Sequence, residues 1–291
     1  MLTICHRTAI AALTAALVAG GLAAGDPPAA LAQSAGPSAV IPSFWDPRRR
    51  IDRPPAGVIQ AIRFLTTDDF PPFNFLDDNG RLTGLNVDLA RAICAELAVR
   101  CTIQAREWED LIGHLYDETA DAVIAGVAIT AENREWLDFA DVYLRPAARF
   151  VVRKDGPELT LTREGLRGRT LAVAARTAHE AYLAVMLPEV ARRIYATVED
   201  ARRALRDGEV DAVFGDGIGL SFWMASRDAD GCCVFTGGPY LESRFFGQGH
   251  AIAVAKGDTD LKGAINAALQ ALATKGVYAE LYLRYFPIGF Y

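Results

Sequence analysis

Short apolar runs alternate along this chain with segments of helical periodicity. The clearest runs are rich in β-branched residues, and we expect strands at 62–66, 101–105, 121–125, 170–174, 211–215 and 251–255. In other segments apolar residues recur at intervals of three and four, which predicts helices within 87–97, 108–115, 261–272 and 278–285. This alternation predicts an α/β protein with mostly parallel strands.

Two of the predicted strands share a motif. ETADAVIAG (118–126) and GEVDAVFGDG (208–217) both have a polar or acidic lead-in, the triplet Asp-Ala-Val and a glycine at the strand's end. The repetition predicts two lobes built alike. Because ligands of open α/β sheets bind at the carboxyl ends of strands, we expect the segments after the two Asp-Ala-Val strands to form the walls of a cleft.

Residues 1–32 have the pattern of a secretory signal peptide. His6 and Arg7 precede an apolar run, and Ala30-Leu31-Ala32 offers small residues for cleavage. A membrane anchor is the weaker interpretation, because the run is short and broken by glycines. No later segment is long and apolar enough to span a bilayer. We therefore expect an exported protein.

Residues 33–57 are rich in proline and contain the run Arg48-Arg49-Arg50. They predict an extended leader with its arginines in solvent, in which Phe44 and Trp45 are candidate contacts to the body of the protein. The net charge is −6, and it remains −6 without residues 1–32, which hold one arginine and one aspartate. A mildly acidic exported chain argues against nucleic acid as a partner.

The cysteines give one clear prediction and one open question. Cys94 and Cys101 fall late in a predicted helix and at the start of the next strand, which favours a disulfide in an exported protein, with two buried thiols as the alternative. Cys232 and Cys233 are adjacent, and the sequence leaves open whether they are reduced, paired elsewhere or redox-labile.

Seven stretches carry a family resemblance. They occur in the family's order and spacing: IRFLTTDDFPPFNFLDDNGRLTGLNVDLARAICAEL, WEDLIGHL, DAVIAGVAIT, LDFADVYL, FVVRKDG, GEVDAVFGDG and GGPYLESRFFGQGHAIAVAKGD. Over about residues 58–287 the chain resembles the type II periplasmic solute-binding proteins of ABC importers, in the polar amino-acid-binding family (family 3).

The resemblance implies a two-lobed fold in which each lobe is a mostly parallel sheet flanked by helices. Lobe one would comprise 58–152 plus 250–291 and lobe two 155–248, with a hinge where the chain crosses twice. It also implies a monomer in the periplasm that needs no cofactor and has two partners, a small polar ligand and an inner-membrane ABC permease.

Four ligand-binding residues are implied by their positions in the family's motifs. Phe70 and Trp108 would pack over the ligand, although either could be an ordinary core aromatic. Asp216 would hold an α-ammonium group through charge-assisted hydrogen bonds, with a helix N-cap as the alternative role. Thr177 would place a hydroxyl at the start of a helix, whose N-terminus also favours a carboxylate.

The chain departs from the family at the arginine that binds the ligand's carboxylate. Asn133 occupies that place and Arg134 follows one residue later, which turns its side chain by about 100° around a helix. Arg176 stands where the family has glycine and could compensate, because arginine binds carboxylates with two hydrogen bonds. The sequence leaves open which of the three serves.

A second departure is a patch with almost no side chains. Ala125, Gly126 and Ala128 replace positions where polar binders carry hydroxyl groups, and they would let a ligand approach backbone amides. Thr130 is expected to cap the helix that follows. His179 is either an added cleft contact or an exposed helix residue.

These features predict a non-enzymatic receptor that captures a small polar or zwitterionic ligand, such as an amino acid, for an ABC importer. One alternative is an adaptor or sensor that serves a periplasmic dehydrogenase or receptor. A cyclohexadienyl dehydratase-like enzyme is less favoured, because the candidate acids Asp68, Asp69 and Glu180 lie in no recognisable catalytic motif.

Overall fold

The computed structural model describes residues 41–46, 48–49, 51, 55, 57–286 and 288–291. The predicted signal peptide and most of the predicted leader lie outside the described residues. Thirteen strands can be assigned within the described part: β1 Ala61–Thr66, β2 Asp69–Phe70, β3 Asn74–Leu76, β4 Leu82–Thr83, β5 Arg100–Ala105, β6 Ala122–Val123, β7 Leu137–Phe139, β8 Ala148–Arg153, β9 Thr170–Ala174, β10 Ala191–Tyr195, β11 Ala212–Asp216, β12 Cys233–Tyr240 and β13 Ala253–Ala255.

Helices connect most of these strands. Their bounds are α1 Leu85–Leu97, α2 Leu111–Tyr116, α3 Asn133–Trp136, α4 Ala178–Met186, α5 Val198–Arg206, α6 Gly217–Ala225, α7 Ser243–Phe246, α8 Thr259–Thr274 and α9 Val277–Tyr285. None of the helices in the described ranges has the length and apolar character needed to cross a membrane.

The strands form two five-stranded sheets and one small sheet. The first sheet has the order β5-β1-β6-β13-β7 and the second β10-β9-β11-β8-β12, while β2, β3 and β4 make the small one. In each large sheet four of the five strands run in the same direction, as the sequence predicted, and one strand runs opposite to its two neighbours. The reversed strand is β13 in the first sheet and β8 in the second.

Helices pack on both faces of each large sheet, because alternate residues of a strand point to opposite faces. In the first sheet Phe64 faces a cluster that includes α1, α8 and α9, whereas the next residue, Leu65, packs with α2. In the second sheet Phe214 faces α4, and Val213 packs with α5 and α6. The predicted α/β layering is therefore present in both sheets.

Both cysteine pairs are bonded. Cys94 near the end of α1 pairs with Cys101 at the start of β5, with 5.9 Å between their Cα atoms, as the sequence predicted. The adjacent Cys232 and Cys233 pair with each other, which the sequence left undecided.

Part of the predicted leader packs against the first sheet's helices. Trp45 is 8% exposed and its ring meets that of Tyr278 edge-on at 4.9 Å. Phe44 contacts Tyr291 in the same way at 5.8 Å. Arg49 pairs with Asp141 at 3.0 Å, so this arginine has a partner where the sequence predicted only solvent.

Candidate ligand-binding site

Three parallel strands of the first sheet end at the same edge. β1, β5 and β6 run in parallel, so the segments that follow them, at 67–70, 106–108 and 124–128, emerge side by side. Phe70 stacks on Phe73 with 4.8 Å between ring centroids. A Cβ atom built on Gly126 would lie 3.5 Å from Cε1 of Phe70. The structure therefore places Phe70 beside the bare patch, the segment of Ala125, Gly126 and Ala128 that carries almost no side chains.

A buried polar network fixes the turn that carries Phe70. The amide of Asn74 donates to the backbone oxygen and the hydroxyl of Thr67, at 3.1 and 2.8 Å. Asn86 then donates to Asn74 Oδ1, and the hydroxyl of Tyr143 donates to Asn86 Oδ1. Because buried polar groups are costly to leave unpaired, this network holds the turn in one conformation.

The bare patch leads into a loop that is held by hydrogen bonds between its own residues. Gly126 adopts φ +79°, a conformation that favours glycine. The side-chain amide of Asn133 donates to the oxygen of Ala128 at 2.8 Å, and Thr130 Oγ1 accepts from the backbone N–H of Asn133 at 3.1 Å. Thr130 thus makes the predicted capping bond, and the amide of Asn133 is engaged within the loop.

Arg134 has partners within the same region. Its Nη2 lies 3.4 Å from Gln248 Oε1, and its guanidinium lies 5.7 Å from the ring of Phe139. Gln248 in turn donates to the oxygen of Ile129. Trp108, the other predicted lining residue, is 50% exposed in the short 3₁₀ turn Trp108–Asp110.

The second sheet presents a matching edge at the ends of β9, β10 and β11. These strands are parallel and lead into α4, α5 and α6. Each helix is capped by a side chain: Thr177 accepts from Glu180 N, Thr197 from Asp200 N and Asp216 from Gly219 N. Asp216 therefore does serve as an N-cap, and only its Oδ2 is used in that bond.

A cavity of about 250 Å³ opens at this second edge. Its lining includes two predicted site residues, Thr177 and Asp216, together with His179 and Arg202. Arg176 is the residue before Thr177 and is exposed, with φ +59°, a conformation that glycine adopts more easily than arginine. The structure thus brings Thr177 and Asp216 together on one cavity.

His179 is packed between aromatic rings. It stacks on Phe246 with 5.3 Å between centroids and meets Phe214 edge-on. Burial lowers the pKa of His179, and the nearby Asp216 carboxylate opposes part of that shift. The alternative of an exposed helix residue does not describe this side chain.

Sequence reasoning missed His250, which lies beside the first edge. Its ring packs on Phe73 at 4.9 Å and sits 3.8 Å from the Cβ position of Gly126. Burial lowers its pKa to about 4, and its Nδ1 has no hydrogen-bond partner within the described residues. The only sequence signal was its place in the stretch GHAIAV.

Arg202 was also missed. Helix α5 carries many charged residues and resembles an ordinary surface helix, yet Arg202 lines the cavity with Asp216. No cluster of three or more histidine, cysteine or acidic side chains suited to a metal ion occurs in the described ranges.

Comparison with known proteins places these features in a family. The L-arginine-binding protein of Pseudomonas aeruginosa is 33% identical over 80% of this chain and 90% of its own length. ABC transporter arginine-binding protein 1 of Escherichia coli K12 is 28% identical over 80% of this chain and 93% of its own length.

Solved structures agree on the fold. An ancestral cationic amino acid solute-binding protein has a TM-score of 0.58 and 27% identity, covering 78% of this chain and 95% of that chain. An ancestral cyclohexadienyl dehydratase has a TM-score of 0.64 but 22% identity, over 78% of this chain and 93% of that chain, and shows the fold alone. The predicted type II periplasmic-binding-protein fold is thus confirmed.

The family model for bacterial extracellular solute-binding proteins, family 3, matches residues 62–288. That span includes both sheet edges and every ligand-binding residue that the sequence suggested. The chain belongs to the bacterial extracellular solute-binding proteins, family 3.

Proposed function

We propose that the solute of this chain is an amino acid or a closely related zwitterion, captured in the periplasm and delivered to an inner-membrane ABC permease. The carrying observation is the cavity at the second sheet's edge, where the Asp216 carboxylate faces the same space as Thr177 and Arg202. A carboxylate beside a guanidinium suits a ligand that carries both an ammonium and a carboxylate group.

L-Arginine is the first candidate solute. Two of the relatives are named for arginine, and a third similar protein is named for cationic amino acids. Asp68 and Asp69 are exposed next to Phe70 and would offer carboxylates to a cationic side chain. The ring of Phe70, 40% exposed, would pack on the aliphatic part of such a ligand.

The rest of the arrangement follows the family's architecture. Lobe one would comprise 58–152 plus 250–291 and lobe two 155–248, with the ligand between the two sheet edges and the closed state favoured by contacts from both lobes. Residues 1–32 would direct export as a signal peptide. The protein would act as a monomer and without catalysis.

A binding screen tests this function. Purified protein is heated with each of the common amino acids, and a solute that binds the folded state raises the melting temperature. Isothermal titration calorimetry then gives the dissociation constant. If no amino acid shifts the melting temperature or produces heat, the proposed solute class is wrong.

Asp216→Asn tests the role of the acid in that binding. Asparagine still caps helices well, so the fold should be kept, while the loss of the charge should weaken binding of L-arginine at least about 10-fold. Asp258→Asn is the matched control, since Asp258 caps α8 through Leu261 N in the same way. An unchanged affinity of Asp216→Asn for L-arginine would contradict the proposed contact between Asp216 and the ligand's ammonium group.

The alternatives have weaker support. The relatives' names describe binding proteins, which favours transport over an adaptor or sensor role. The dehydratase is supported only by a shared fold, which does not fix function. Incubation with prephenate or arogenate tests it, and absence of product is the expected result.

A further inference from the structure

Arg202 and Asp216 meet at one point in the second sheet's cavity. A Cβ atom placed on Gly219 would lie 2.9 Å from Arg202 Nη2 and 3.1 Å from Asp216 Oδ2. The two charged groups therefore flank the first turn of α6, although Arg202 lies on α5 and Asp216 ends β11. Both residues line the same cavity of about 250 Å³.

Unlike that of the next residue on α5, Arg203, the side chain of Arg202 makes no ion pair in the part of the chain that the structure describes. Its Nε is buried and has no hydrogen-bond partner in the described part of the chain. Among the described residues the structure shows no ion pair between Arg202 and Asp216, whereas the next residue, Arg203, pairs with Asp200 at 2.9 Å. Within the described ranges the guanidinium of Arg202 therefore has no ion-pair partner at the cavity that it shares with Asp216, and its Nη2 lies beside the first turn of α6.

The residues expected to hold a carboxylate are engaged elsewhere. The amide of Asn133 donates to Ala128 O, and the guanidinium of Arg134 lies against Gln248 and Phe139. Arg176 is exposed and does not line the cavity. Of these arginines, Arg202 alone shares a cavity with Asp216.

We propose that Arg202 binds the carboxylate of the ligand while Asp216 holds its ammonium group, so that both charges of a zwitterion are recognised at the edge of the second sheet. A guanidinium donates from its Nη groups to carboxylate oxygens, and Nη2 of Arg202 is the atom nearest to the Cβ position of Gly219 at the first turn of α6. This inference rests on the proposed function. It names the residue that takes the place of the family's carboxylate-binding arginine.

The test uses pairs of ligands that differ only in the carboxylate. L-Arginine and agmatine, L-lysine and cadaverine, and L-histidine and histamine are titrated into wild-type protein and into Arg202→Gln, with displacement assays for weak binders. Arg202→Gln should weaken amino-acid binding about 10- to 100-fold, the effect of losing a hydrogen bond between charged groups. Binding of the matching amine should change by less than about 3-fold.

Arg203→Gln is the matched control, because it removes the same charge one residue away on the same helix. It should leave both affinities within about 2-fold of wild type, since exposed ion pairs contribute little. Gly219→Ala tests the cavity as a whole: alanine favours the helix, so the variant should melt no lower than wild type, yet its Cβ would crowd both Arg202 Nη2 and Asp216 Oδ2 and weaken amino-acid binding.

The outcomes separate this inference from the proposed function. If wild-type protein binds none of the amino acids, the proposed function fails and this assignment fails with it. If amino acids bind but Arg202→Gln leaves their affinity unchanged, or weakens amine and amino acid equally, only the assignment of Arg202 is wrong. A selective loss for the amino acids supports it.

Discussion

Burial decides the charge of His250. The ring lies among Phe70, Phe73 and Tyr143, and its pKa falls from 6.5 to about 4 because these neighbours exclude water. In the unfolded chain the same side chain titrates near 6.5. As the pH falls through 6.5, the unfolded state takes up the proton first, so the free energy of unfolding decreases until the pH reaches about 4.

We expect His250→Gln to reduce the loss of stability between pH 7 and pH 5. Wild type should lose about 2 kcal/mol more than the variant over this interval, because only wild type contains the histidine that binds its proton on unfolding. Urea unfolding at both pH values gives the two differences. The control is His114→Gln, which replaces a half-buried histidine of α2; a pH response of His250→Gln equal to that of wild type would contradict the prediction.

The sequence predicted some of the site's residues but not how they combine. Phe70, Thr177 and Asp216 were identified from their positions in the family's motifs, and Gly126 from the patch of small residues after its strand. Arg202 could not be identified, because its place beside Asp216 depends on how α5 and α6 pack. A charged helix position looks the same in a sequence whether its side chain reaches solvent or a cavity.

Prediction of the strands also depended on whether their residues are buried or exposed. Buried strands such as β9 and β11 were predicted within one residue, because their apolar runs are continuous. The central strand β8 was missed, because Arg149 and Arg153 break its apolar run. β10 and β12 were missed for another reason. Both are edge strands, in which exposed residues weaken the pattern, and β12 contains Gly237, Gly238 and Pro239.

The disulfide between Cys94 and Cys101 joins the end of α1 to the start of β5. Removing it in the double variant Cys94→Ala, Cys101→Ala should lower the free energy of unfolding by about 2–3 kcal/mol, because the unfolded chain regains the entropy of the closed loop. Urea unfolding under oxidising conditions measures this. Cys232→Ala with Cys233→Ala is the control and should cost less, since adjacent residues close almost no loop. An equal loss in both would contradict the entropic account.

The folded molecule includes a segment that precedes β1 and belongs to neither large sheet. Trp45 lies ahead of β1 but is buried against α9, and Gln270 of α8 donates to the oxygens of Asp46 and Arg49. This segment is therefore part of the folded body, and it includes Phe44 and Trp45, which the sequence offered as candidate contacts of the extended leader.

Trp45→Ala should lower the free energy of unfolding by about 3 kcal/mol, as expected for emptying a buried aromatic site. Trp136→Ala removes an equal side chain that is 56% exposed on α3 and should cost less than about 1 kcal/mol. Chemical unfolding of both variants makes the comparison. If Trp45→Ala lowers the free energy of unfolding by as little as is expected for Trp136→Ala, Trp45 does not stabilise the fold.

The helix caps at the second sheet's edge have a consequence for how such a protein changes over time. In each of α4, α5 and α6 the third N–H is already bound by the helix's own cap, so those backbone donors recognise no solute. In the binding mode proposed above, solute choice rests on side chains such as Arg202, which a single codon change can replace while the backbone stays as it is. A lineage that carries this fold can thus acquire a new nutrient by substitution, without rebuilding the scaffold.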